Sequence, residues 1–180
     1  MTESGPVAGA QAVRAFVGIG SNLEYPLRQV ERAFDALAAL RESRCMARSS
    51  LYRSPALGAA PQPDYINAVV LLETRLSALD LLDELLAIEA RQGRVRRPGE
   101  RWGPRTLDLD LLLYGEHCCN EPRLTVPHPE MIRRDFVLYP MFEIDPGLVI
   151  PGIGALRDCL RRCPPRGLQR VENRDESAAS

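Results

Sequence analysis

The sequence contains no lysine; all 23 basic residues are arginine. That absence excludes a phosphate-binding loop built on lysine, a protein-kinase-type strand lysine and a Schiff-base lysine. If the chain handles phosphate, arginine and a metal ion must supply the positive charge. Net charge is also lacking, because 24 acidic residues leave a formal value of −1. A nucleic-acid or membrane-surface binder would carry a basic footprint, and none is present. No apolar run approaches the ~20 residues that a membrane helix needs, and the first eleven residues, with Glu3, do not read as a signal peptide. Histidine is scarce. His117-Cys118-Cys119 matches no zinc spacing, and His128 is the only other histidine. Five irregularly spaced cysteines fit a reduced, cytoplasmic protein better than a disulfide scaffold.

What the chain does have is concentrated between Arg101 and Tyr114. Gly103 and Pro104 break a loop that runs into Leu107-Asp108-Leu109-Asp110-Leu111-Leu112-Leu113-Tyr114. This apolar segment is too short for a typical helix and is bounded by Gly115, which predicts a strand. Alternate strand residues share a face. Asp108 and Asp110 therefore lie together, roughly 7 Å apart, while Leu107, Leu109, Leu111 and Leu113 face the core. Two carboxylates so placed repel. Mg2+ would compensate, because it takes oxygen ligands and is held by one or two carboxylates plus substrate phosphates. Upstream lie Arg91, Arg94, Arg96, Arg97, Arg101 and Arg105, and arginine forks onto phosphate oxygens. Together these read as a metal–triphosphate site. The plainer alternative is an exposed strand face beside a solvated basic loop.

At 180 residues the chain is one domain with room for a core. Residues 1–13 and 165–180 are polar or small and are expected to be disordered tails around a domain at 14–164. Arg14 to Ile19 predicts a first strand. Gly18-Ile19-Gly20-Ser21-Asn22 follows as a turn that needs a permissive backbone; Leu23 at the third glycine position rules out a dinucleotide fingerprint. Pro26 suits a helix start, and Val30, Phe34 and Leu37 keep helical spacing towards Arg41. Arg44 to Arg53 predicts a second strand, Ser54 to Asp64 a proline-rich loop, and Tyr65 to Thr74 a third strand. In that third strand Ile66, Ala68, Val70 and Leu72 share one face, with Tyr65, Asn67 and Val69 on the other. Ser77 and Asp80 read as a helix cap and its reciprocal partner. Leu79, Leu82, Leu85, Leu86 and Ile88 form the buried stripe, and Gly93 the stop. Met131 to Phe142 and Ala155 to Cys163 read as helices, with a strand at Leu148 to Ile150. This order predicts an α+β domain on the ferredoxin-like βαββαβ plan: an antiparallel sheet, helices mainly on one face, and extra C-terminal elements.

Arg101 to Leu112 resembles the signature of the 6-hydroxymethyl-7,8-dihydropterin pyrophosphokinase family: a charged residue, Gly, Pro, Arg, then Asp-x-Asp between aliphatics. The likeness extends in family order through Gly18 to Leu23, Tyr52 to Pro55, Gln62 to Ala68, Gln92 to Arg96 and Arg123 to His128. It implies transfer of diphosphate from ATP to the hydroxymethyl group of the pterin, a step of folate biosynthesis. It also implies that Asp108 and Asp110 hold two Mg2+ ions and that Arg94 and Arg105 stabilise transition-state charge. Glu89, Arg96, Trp102, Leu111, Arg123, Thr125, His128 and Arg134 fall at nucleotide-binding positions. Ser54, Pro55, Leu57, Tyr65, Asn67 and Phe136 fall at pterin-binding ones, with the Asn67 amide reading the pterin edge and Phe136 stacking on the ring. The expected partners are these two small molecules alone, without nucleic acid or membrane, and the expected state is a cytoplasmic monomer. The chain departs from the family pattern at Leu86, at Pro129 and in an arginine loop one residue longer. A nucleotidyltransferase also uses Asp-x-Asp with metal, but its Gly-Ser lies shortly before the acidic pair, whereas Gly20-Ser21 sits in another element. A ferredoxin-like RNA-binding or small-ligand module is the other reading; against RNA, Tyr65 is the only candidate aromatic on the sheet face.

Overall fold

The computed structural model describes residues 11–58, 61–95 and 103–172. At its centre is β1 (Val13–Ser21), in which Ala15 to Ser21 are all buried. A strand covered on both faces needs apolar or small residues at nearly every position, and Ala15-Phe16-Val17-Gly18-Ile19-Gly20 supplies them. β4 (Tyr65–Thr74) and β5 (Asp108–Tyr114) flank it, both antiparallel. The far side of β4 receives β2 (Ser43–Arg48) and β3 (Tyr52–Ser54), and β10 (Gln169–Arg170) closes the edge on β3. Two short ribbons complete the strands: β6 (Cys119–Asn120) with β7 (Thr125–Val126), and β8 (Val149–Ile150) with β9 (Gly154–Ala155).

Among the described residues, four α-helices cover this antiparallel sheet. α1 (Pro26–Ala38) buries Val30, Ala33, Phe34 and Leu37, and α2 (Ala78–Arg91) buries Leu81, Leu85 and Ile88. Both stripes pack on Val17, Ile19, Ile66, Ala68, Val70 and Leu72. Val137, Leu138 and Met141 of α3 (Asp135–Ile144) and Leu156 and Cys159 of α4 (Leu156–Arg162) pack on the opposite face, against Phe16, Val69 and Leu71. Each fully buried leucine contributes on the order of 2 kcal/mol, so the two faces share the driving force. The sequence reading placed helices mainly on one face; α3 and α4 instead cover part of the other.

Four further expectations are corrected. The second strand is two, β2 and β3, because Ser49 leaves the ladder: its Oγ accepts the Val69 N–H and its own N–H reaches the Val69 carbonyl. Leu113 does not share the face of Leu109 and Leu111. β5 holds one extra residue at Leu112, between the pairs Val17–Leu111 and Phe16–Leu113, and the bulge turns both Leu112 and Leu113 to the α3 side. Residues 165–172 are not a loose tail, since Gln169 and Arg170 pair with Arg53 and Tyr52. In α2, Leu81 is buried where Leu79 was expected; Leu79 is exposed. The Ser77 cap forms as read, its Oγ accepting the Asp80 N–H and donating to the Asp80 carboxylate.

Candidate active site

One face of β1, β4 and β5 opens into a cleft of about 490 Å³. Its floor is made by Gly18 and Gly20, which pair directly with Asp110 and Asp108. The sequence reading took these glycines for a turn; they lie inside β1. A Cβ at Gly20 would stand 3.4 Å from the Asn67 amide oxygen, and one at Gly18 would stand 3.4 Å from Leu112. The missing side chains therefore create the space between the acidic pair and β4. Glycine inside a strand marks such a close approach, and that signal was available in Gly18-Ile19-Gly20.

At one end stand Asp108 and Asp110, the expected i, i+2 pair on one face. Arg94 reaches Asp108 because Gly93, at φ +80, ends α2 in the left-handed region and turns the chain back, with the Arg94 N–H on the Glu89 carbonyl. Arg94 Nη1 bonds Glu89 Oε1 at 2.6 Å and also contacts Asp108 Oδ1. Arg105 Nη1 donates to Asp108 Oδ2 at 2.9 Å. Both oxygens of Asp108 thus carry an arginine. Asp110 is less well compensated. Arg134 Nη1 lies 3.6 Å from its Oδ2, and His128 Nε2 lies 4.0 Å away. Loss of solvent, together with the Asp108 charge, pushes its carboxyl from 3.8 up to about 7.

His128 arrives there through the β5 bulge, whose Leu112 carbonyl accepts the His128 N–H at 2.9 Å. Its Nδ1 accepts from Glu130 N, which leaves the proton of the neutral ring on Nε2, towards Asp110. Burial and Arg134 lower its pKa, so the imidazole is neutral near pH 7.

At the other end stand Ser54, Pro55, Leu57, Tyr65, Asn67 and Phe136, all lining the cleft. Asn67 is buried, and its amide is oriented by donation to Ser54 Oγ at 2.8 Å and to the Tyr52 carbonyl at 3.4 Å. Tyr65 Oη donates to the Gly103 carbonyl, and the Arg134 guanidinium lies 5.9 Å from the Phe136 ring centroid. Asn22, read only as part of a turn, staples the loops on either side. It is buried; its Nδ2 donates to Gln62 Oε1 and the Pro63 carbonyl, and its Oδ1 accepts from Arg105 N.

Other expected residues lie elsewhere. Leu111 is in the core between sheet and helices and does not line the cleft. Glu89 is 2% exposed, and its Oε1 accepts from Leu109 N as well as from Arg94, so it anchors β5 and the arginine rather than facing a ligand. Arg123 is exposed and pairs with Asp83 of α2, and Thr125 bonds Asn120 within the β6–β7 ribbon. Arg96 and Trp102 lie outside the described residues. Among the described residues no group of three or more His, Cys, Asp and Glu side chains encloses an ion. Two adjacent carboxylates that open onto the cleft fit Mg2+ once their arginines turn away, since that ion completes its shell with water and phosphate.

Similarity to known proteins agrees with this geometry. The family model described as 7,8-dihydro-6-hydroxymethylpterin-pyrophosphokinase matches residues 16–146. The 2-amino-4-hydroxy-6-hydroxymethyldihydropteridine pyrophosphokinase of Pseudomonas aeruginosa is 50% identical over 158 residues, covering 88% of this chain and 96% of that protein. Its namesake from Haemophilus influenzae is 46% identical over 150 residues, covering 83% and 92%. A crystal structure of HPPK-DHPS in complex with substrates superposes with a TM-score of 0.68 over 89% of this chain at 10% identity, which speaks to the fold alone. The present chain spans 46% of that longer one. The matched span holds both ends of the cleft, and the chain belongs to the 7,8-dihydro-6-hydroxymethylpterin-pyrophosphokinase family.

Proposed function

We infer that this chain is an ATP-dependent diphosphokinase. It moves the β,γ-diphosphate of ATP onto 6-hydroxymethyl-7,8-dihydropterin, releasing AMP, in folate biosynthesis. The observation that carries the reading is the shared glycine floor, with a paired-carboxylate, arginine-rich end beside an end lined by Tyr65, Asn67 and Phe136. In the reaction the pterin hydroxyl oxygen bonds to the β-phosphorus and gives up its proton. The bond from that phosphorus to the α,β-bridging oxygen breaks, and AMP departs.

Asp108 and Asp110 would hold the Mg2+, two ions in this reading, whose charge when bound neutralises the triphosphate. Asp108 must first be released by Arg94 and Arg105, which hold both its oxygens. The same two guanidiniums then turn to the phosphates, so they neutralise the carboxylate before substrate arrives and the triphosphate afterwards. Arg134 and His128, beside Asp110, are placed to follow the nucleotide, with Arg96, Trp102, Arg123 and Thr125 as its outer contacts. Asn67, held by Ser54, reads the pterin edge, and Phe136 stacks on the ring. Leu111 and Glu89 act behind the nucleotide as packing and anchor.

The strand order β5–β1–β4 with β2 and β3 outside supports the ferredoxin-like description of residues 13–114. We take the enzyme to be a cytoplasmic monomer; among the described residues no helix is long and apolar enough to cross a membrane. The test is product analysis with ATP, Mg2+ and the reduced pterin. Pterin-dependent AMP is expected; ADP would mean ordinary phosphoryl transfer and would overturn the assignment.

A further inference from the structure

The C-terminal strap, residues 165–171, touches the pterin end of the cleft at three points that the reaction itself does not use. Arg166 N donates to Asp135 Oδ2 at 2.6 Å, while Oδ1 of the same buried carboxylate caps the Phe136 N–H at 2.8 Å. Gly167, at φ +74, passes so close to Pro55 that an added Cβ would stand 3.1 Å from the proline Cγ. Gln169 and Arg170 then pair with Arg53 and Tyr52, and Val171 N reaches the Leu51 carbonyl at 2.8 Å. One short segment therefore holds the start of the helix that carries Phe136, the wall formed by Pro55, and the strand whose Ser54 and Tyr52 orient Asn67.

We propose that this strap, clasped by Asp135, is a positioning element of the pterin pocket. It sets where the Pro55 wall and the Phe136 ring stand, both of which line that end of the cleft. Asp135 is a positioning residue, since it acts through Phe136 and Arg166 without lining the cleft. None of the three anchors contacts Asp108 or Asp110, so the strap acts on the pterin end first; Arg134, which precedes Asp135 and lies 5.9 Å from the Phe136 ring, is its one route to the acidic end among the described residues. The proposal rests on the pterin reading of the Asn67–Phe136 end.

The test uses the full chain with two independent single variants. Asp135→Asn keeps an acceptor for Phe136 N but turns a donor towards Arg166 N, which opens the clasp from the helix side. Gly167→Ala strains the left-handed backbone and pushes on Pro55 from the strap side. Binding of pterin and of an ATP analogue with Mg2+ is titrated separately, alongside KM for each substrate. Each variant should weaken the pterin by about tenfold, the weight of one net hydrogen bond or a displaced wall, and leave the nucleotide within about twofold. Loss of both affinities together, or of neither, would overturn the strap's role. If Asp135→Asn fails to fold, Gly167→Ala, whose strain lies at the surface, still decides. Should the unsubstituted protein bind no pterin at all, the reading beneath the proposal fails, and the titration reports that separately from any effect of the strap.

Discussion

Asp108 and Asp110 share one strand face, yet they meet different surroundings. Asp108 has a guanidinium on each oxygen; among the described residues Asp110 is paired with Arg134 at 3.6 Å and a neutral imidazole at 4.0 Å. The folded-state value of Asp110, about 7, lies above its ordinary 3.8, so the folded protein holds a proton that the unfolded chain releases. The metal-free protein therefore loses stability as pH rises between about 4 and about 7. Asp110→Asn is expected to melt higher than the parent above pH 7 in chelator, to converge with it at low pH, and to turn over nothing. Melts across pH with a parallel assay check this, and a gap independent of pH would remove the explanation. Arg105→Ala should lower kcat by roughly a hundredfold, as loss of an oxyanion-type donor does, with a smaller change in KM for ATP; a pure KM effect would make Arg105 a binding residue. The placement of the acidic pair beside Arg94 and Arg105 was legible because strand alternation puts residues i and i+2 on one face and the adjoining loop carries the arginines. Asn22 was not legible, since a buried amide that joins two loops has no periodic signature.

Among the elements, β4 was readable to the residue because its nearly continuous apolar run, buried on both faces, is bounded by the proline-rich loop before Tyr65 and the Ser77 cap beyond Thr74. β5 was readable only as far as its bulge. Alternation assigns faces on the assumption of regular pairing, and one extra residue at Leu112 reverses Leu113. The same bulge frees the carbonyl that brings in His128, so the irregularity that defeated the pattern also builds part of the site. The loops at the cleft mouth depend on Asn22. Asn22→Ala should cost about 2 kcal/mol, the sum of its lost hydrogen bonds, and should raise KM for ATP and pterin together, because it holds segments on both sides. A variant that raised only one KM would show that the two loops are held separately.

For the whole molecule, the strap and the second helical layer were the least legible, since both depend on contacts between distant parts of the chain. Glu143 of α3 illustrates the cost of removing one such contact. Its carboxylate accepts from Ser50 N, Ser50 Oγ and Tyr52 Oη, and lies 3.7 Å from Arg170. These hydrogen bonds outweigh burial and hold its pKa below 4.5, while burial and the same carboxylate push the Tyr52 phenol up to about 12. A depressed carboxylate contributes stability above its unfolded value and loses it as pH falls. Glu143→Gln should therefore melt below the parent near pH 6, with the gap closing beneath about pH 4.5; a gap that persisted in acid would assign the loss to packing instead. A different consequence follows from the buried Glu89, which grips Leu109 N at 2.8 Å and Arg94 at 2.6 Å. A slip of β5 by a single position would exchange leucines for aspartates in the cleft and drive the aspartates into oil. The carboxylate that fastens the strand thus works as a proofreader of assembly: a molecule folded out of step is also one without chemistry, and errors of folding never become errors of catalysis.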